Sequence, residues 1–105
     1  MADWLLAADV AAYLDVPYPD SDGRVDHATD SVRAAVERRR SDVDFDAVPD
    51  DIRNASIEWA ALIYQARNAP SGFSGYSEDT LLYDSLGARR GDILRRLGWR
   101  RPVAL

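Results

Sequence analysis

The sequence predicts a small all-α domain: a compact bundle of about four helices, with an extended loop or arm near residues 70–84 and a basic C-terminal helix and tail over residues 86–105. Three observations predict it. Apolar residues recur at three- and four-residue spacing along most of the chain, the period of helices with one buried face. Pro17, Pro49 and Pro70 stand at the edges of those runs, where a proline opens a helix or stops the preceding one. With 105 residues, 47% of them hydrophobic, the chain has the length and composition of one domain with one small core.

The first element is Ala8-Asp9-Val10-Ala11-Ala12-Tyr13-Leu14, in which Val10, Tyr13 and Leu14 share a face. Val16-Pro17 is its predicted stop, because the residue before a proline is pushed out of the helical region. Trp4 and Leu5, just ahead of it, are expected on the same core. Residues 17–22 form a loop rich in capping residues. From about Asp22 to Arg40, the positions Val25, Ala28, Val32, Ala35 and Val36 make one stripe. Asp22 and Asp26 at its start and Arg38, Arg39 and Arg40 at its end suit the helix dipole.

Residues 41–48 alternate polar and apolar, which allows a short strand; one segment makes no sheet, so an extended connector fits equally. Pro49-Asp50-Asp51 then opens the clearest helix, with Ile52, Ala55, Trp59, Ile63 and Ala66 as its core stripe and Arg67-Asn68-Ala69-Pro70 as its end. Ile57, Ala61 and Tyr64 point elsewhere, so this helix is either central to the fold or half-covered by a partner. Residues 70–80 are rich in turn formers yet carry Phe73 and Tyr76, and residues 80–83 read as a short extended piece. A last helix is expected from about Ala88 to Leu97, with Ile93, Leu94 and Leu97 inward and Gly98 as its stop.

Composition excludes several kinds of chemistry. Without cysteine there is no disulfide, thiolate metal site or cysteine nucleophile. The longest apolar run, Trp59 to Tyr64, is far short of the ~20 residues a membrane helix needs, and Met1-Ala2-Asp3-Trp4 has no positive leader region. Asp42, Asp44 and Asp46 have the spacing of a calcium loop, but Ala47 stands where that loop turns on glycine and Arg53 where it needs a bidentate glutamate. His27, the single histidine, reads as a surface residue, and Gly72-Phe73-Ser74-Gly75 lacks the strand and lysine of a phosphate loop. No catalytic, cofactor-binding or metal-binding residues are assigned.

Charge is the informative quantity. All 13 cations are arginine, 15 of the 18 acids are aspartate, and the net charge is −5. Residues 86–105 hold six arginines against one acid, for +5, whereas residues 1–85 hold seven arginines against 17 acids, for −10. The arginines are either a solvated face or a contact surface for an acidic partner or for phosphates. Trp99 among them favours contact, since tryptophan and arginine dominate interface hot spots. The interface candidates are Phe73, Tyr76, Arg89, Arg90, Arg95, Arg96, Trp99, Arg100 and Arg101. The acidic body of a neighbouring copy would itself serve as partner, and such head-to-tail pairing closes into a ring where the rotation permits.

Three segments carry a resemblance to a known family. Leu6 to Leu14, Ala28 to Arg40, and above all Val48-Pro49-Asp50-Asp51-Ile52-Arg53-Asn54-Ala55 running through Trp59 to Arg67 and on to Asn68-Ala69-Pro70-Ser71-Gly72-Phe73-Ser74-Gly75, resemble the small head–tail connector (adaptor) proteins of long-tailed phages of actinobacteria. The likeness covers nearly the whole chain as a pattern of helices and turns. It implies a non-enzymatic virion protein, made in the bacterial cytoplasm and placed at the head–tail interface. It implies a ring of about twelve copies, docked on the portal protein on one side and on a stopper or tail-completion protein on the other. Genome DNA would pass through the lumen without sequence-specific binding, and an acidic wall suits that passage because it does not hold phosphate. The alternative is a small helical nucleic-acid-binding or regulatory protein that uses the arginine-rich C-terminus.

Overall fold

The computed structural model describes residues 4–19, 23–67 and 86–98, and the expectations for the arm at 70–84 and the tail beyond Gly98 lie outside them. The protein is all-α. In chain order the described elements are α1 (Ala7–Leu14), α2 (Arg24–Arg39), α3 (Asp50–Arg67), a 3₁₀ turn (Gly87–Arg89) and α4 (Arg90–Arg96). The expected spans of the first three helices hold to within about two residues.

α1 stops before the proline acts. Asp15 takes the left-handed conformation with φ 58°, its N–H donates to the Ala12 carbonyl and that of Val16 to the Ala11 carbonyl. This pair of bonds closes the helix end locally, and aspartate is among the few side chains that tolerate the conformation. α2 starts on Gly23, at φ 72°, rather than on a capping side chain, and Asp26 in its first turn accepts the Tyr18 hydroxyl at 2.7 Å.

The connector between α2 and α3 is neither strand nor extended. Val43 N–H donates to the Arg40 carbonyl, Ala47 N–H to the Asp44 carbonyl, and Asp46 N–H to Asp44 Oδ1, all at 3.0 Å. Aspartate offers the backbone this local alternative to pairing, so the segment folds into successive turns. The apolar side chains still face inward. Val43, Phe45 and Val48 pack against the core, and the Phe45 ring lies 5.2 Å from that of Trp4.

α3 is the central element, touching α1, α2 and α4. Ala55, Trp59, Ala60 and Ile63 are fully or almost fully buried, together with Val25, Val32 and Val36 of α2, Leu5 and Val10 at the N-terminus, and Leu86, Ile93 and Leu97 at the other end. Of the positions that left a partner open, Ile57 and Ala61 are buried within this chain and Tyr64 is half-buried against the core, so the central place of α3 accounts for most of its many-sided apolar surface. Thr29 and Ser56 are the buried polar side chains among the described residues, and each hydroxyl donates to the carbonyl four residues back, at 2.8 and 2.7 Å. Trp4 keeps its Nε1–H satisfied at Glu37, 2.9 Å away.

The last helix is shorter than expected and is entered through the 3₁₀ turn. It ends as expected at Gly98, with φ 70° and its N–H on the Arg95 carbonyl at 3.0 Å.

Candidate functional site

The described part of the arginine cluster sits on the 3₁₀ turn (Arg89) and on a seven-residue helix too short to be stable alone, so what fastens it decides which charges remain outward. Ile93 and Leu97 are fully buried against the body and give α4 its apolar anchor. Glu58 of α3 gives the polar one. Its neighbours Ile57, Trp59 and Ala60 are buried, and its own side chain is only 16% exposed, so the carboxylate needs cations. One oxygen accepts from Arg96 at 2.6 Å and the other from Arg89. Arg96 also donates to Asp92 Oδ2 at 2.8 Å, and Asp92 Oδ1 accepts from Arg95 at 2.8 Å. A single guanidinium thus bridges a carboxylate of α3 and one of its own helix, the fork geometry that arginine supplies and lysine does not.

The charges respond accordingly. The hydrogen bond from Arg96, helped by the fields of Arg96 and Arg89, outweighs burial and holds the Glu58 carboxyl below its ordinary value. Burial pushes Asp92 upward, but Arg96 and Arg95 together bring it below its usual range. The Arg96 guanidinium is raised by its bond to Glu58. A carboxylate held below its usual value stays ionised at neutral pH, which keeps both guanidiniums on the seam between α3 and α4.

A second fastener lies at the far end of α4. Arg40 donates through Nε and one terminal nitrogen to both oxygens of Asp42, at 2.9 and 3.0 Å, and through the other to the Leu97 carbonyl. The hydrogen bond from Arg40 lowers the Asp42 carboxyl. Asp42 is thereby engaged in an ion pair and Asp44 in a turn. Among the described residues, no three His, Cys, Asp or Glu side chains converge to hold a metal ion.

Between α1, α3 and α4 lies an open groove of about 460 Å³, lined by Asp9, Tyr13, Arg53, Asn54, Ile57, Glu58 and Arg96. Arg53 crosses to Asp9 at 2.5 Å, and Tyr13 is 55% exposed at the groove wall.

The sequence candidates therefore divide. Arg89 and Arg96 are drawn onto Glu58, whereas Arg90 is exposed without an ion-pair partner among the described residues and the Arg95 side chain is 78% exposed. Phe73, Tyr76, Trp99, Arg100 and Arg101 lie outside the described residues. Sequence reasoning missed Glu58 and Arg40. The available signal for Glu58 was its place as a lone acid within the most apolar stretch of α3. No family model, curated protein or solved structure matches this chain.

Proposed function

We propose that the chain is a structural, non-enzymatic, ring-forming subunit of a phage head–tail connector, joining the portal to the next neck or tail protein around the DNA channel. The observation that carries this reading is the likeness over residues 6–14, 28–40 and 48–75. Its support is that those helical segments coincide with α1, most of α2 and α3, which supply most of the buried core residues. Exposed Arg90 and Arg95 on α4 and exposed Asp46, Asp50 and Asp51 on the α2–α3 corner, beside Arg38 and Arg39, offer unlike charges to a subunit that assembles head to tail.

The test is native mass spectrometry and negative-stain microscopy of the full chain at high concentration, alone and with the portal protein encoded beside it. Rings, or portal-bound rings, are the expected result, and a strict monomer that never joins a portal sinks the reading. Portal and capsid genes upstream and tail genes downstream are the expected gene neighbours. The nucleic-acid alternative predicts duplex-DNA binding that falls steeply with salt and disappears on deletion of residues 89–105. Internal pairing of Arg89 and Arg96 reduces the charge available for it.

A further inference from the structure

Two arginines along α2 use their guanidiniums in the same way. Arg40, at the end of the helix, meets both carboxylate oxygens of Asp42 and donates its remaining terminal nitrogen to the Leu97 carbonyl, 57 residues away. Arg33 donates one terminal nitrogen to Asp30 at 2.7 Å and the other to the Leu5 carbonyl, 28 residues away. In each case a carboxylate close in sequence takes one part of the fork, and a backbone carbonyl of a distant segment takes the other.

The carbonyls are ones that the helices leave over. Leu97 stands at the end of α4, where the helical N–H groups have run out. Leu5 precedes Leu6, whose carbonyl accepts the first N–H groups of α1. Gly98 belongs to the same arrangement. Beyond its φ of 70°, any Cβ at this position would meet the Arg40 guanidinium, which three hydrogen bonds hold in place.

Exposure alone would dismiss the two aspartates. The side chains of Asp30 and Asp42 are 68% and 69% exposed, while those of Arg33 and Arg40 are largely covered. Pairs with so open a partner add little to global stability. A guanidinium, however, is a rigid planar fork, so fixing one side of it aims the other. Without the aspartate, a long side chain must give up its rotamer freedom for a single carbonyl.

We propose that Arg33 and Arg40 are clasps that lock the N-terminal segment and α4 onto α2, and that Asp30 and Asp42 are the positioning residues that set them. An exposed carboxylate thereby governs how often a distant segment opens, and whatever draws Asp42 away from Arg40 loosens α4. The device belongs to the folded chain itself and does not rest on the connector reading.

The experiment is hydrogen exchange by mass spectrometry on the full chain, with urea unfolding as the measure of global stability. Asp42→Ala is expected to speed exchange in α4 about tenfold and to leave the head of α1 unchanged. Asp30→Ala is expected to do the reverse, speeding the Asp9 and Val10 amides and sparing α4. Neither is expected to move the urea midpoint measurably. Arg40→Lys keeps the charge but not the fork, so it is expected to match Asp42→Ala, and the double variant to go no further. Gly98→Ala is expected to cost α4 more protection in the wild-type background than beside Arg40→Ala, where no guanidinium meets the new methyl group.

Exchange left unchanged in its target segment by either aspartate variant overturns the proposal. So does an increase that spreads to both segments with a lower urea midpoint, since that marks a general loss of stability. Additive effects of Asp42→Ala and Arg40→Lys overturn it too, because the two residues then act separately. Should the Gly98→Ala chain not fold, the comparison of Asp42→Ala with Arg40→Lys decides alone.

Discussion

Glu58 illustrates how one side chain can matter more than a count of ion pairs. Its carboxylate is largely shielded from water and accepts two charge-assisted hydrogen bonds from a different element, whereas the Asp9–Arg53 pair is more than a third exposed on both sides. Exposed pairs contribute about 0–1 kcal/mol because water and salt screen them and two long side chains lose freedom. Hydrogen bonds to charged groups in shielded positions are worth more, roughly 1.5–3 kcal/mol, and their loss leaves a cation without its partner. Glu58→Gln keeps the shape and removes the charge, so it is expected to lower unfolding stability by about 2 kcal/mol in urea titration, with Asp9→Asn costing less than about 1 kcal/mol. Equal costs for the two variants would show that the shielding of Glu58 has no energetic consequence.

Among the elements, α3 and α4 sit at opposite ends of a stability scale. α3 is packed on three sides, whereas α4 has seven residues and is held by Ile93, Leu97, the Glu58 network and the bond from Arg40 to the Leu97 carbonyl. Opening α4 exposes only that seam, while exposing α3 requires dismantling the core. Hydrogen exchange is therefore expected to show α4 amides exchanging through local opening, at rates insensitive to small amounts of denaturant, and α3 amides near residues 55–63 exchanging only with global unfolding. A single exchange class for both helices would count against this hierarchy. Much of this layout was legible in the sequence. The stripes of α2 and α3 fixed which faces turn inward, and Gly98 marked the end of α4. The connector at 41–48 differs from its reading as a strand or extended piece: the Asp44 side chain bends the chain into turns, while Val43, Phe45 and Val48 pack against the core. The division of the arginines was not legible. Their common partner, Glu58, lies 31 residues from Arg89 and 38 from Arg96, and no local pattern encodes a contact over that distance.

At the scale of the whole molecule, the net charge of −5 conceals carboxylates that bind the structure together. Glu58, Asp92 and Asp42 are each held below their ordinary values by guanidiniums. A group whose folded value is depressed contributes stability that is fully present above its unfolded value and is lost as the pH falls through the folded one. With an ordinary value of 4.5 for glutamate and 3.8 for aspartate, stability is expected to be flat from neutral pH down to about pH 5 and to fall below it. The same protonation leaves 13 arginines increasingly unopposed, so repulsion between them adds to the loss. Glu58→Gln separates the two effects, because it removes one titrating group from the folded network and leaves every arginine in place. Each proton taken up on unfolding contributes about 1.4 kcal/mol per pH unit to the slope. The variant is therefore expected to show a shallower acid limb as the pH falls below the ordinary glutamate value of 4.5, measured by urea unfolding at a series of pH values. Parallel curves for variant and wild type would assign acid sensitivity to general repulsion, and the fastening of α4 would then rest on Ile93 and Leu97 rather than on its charges.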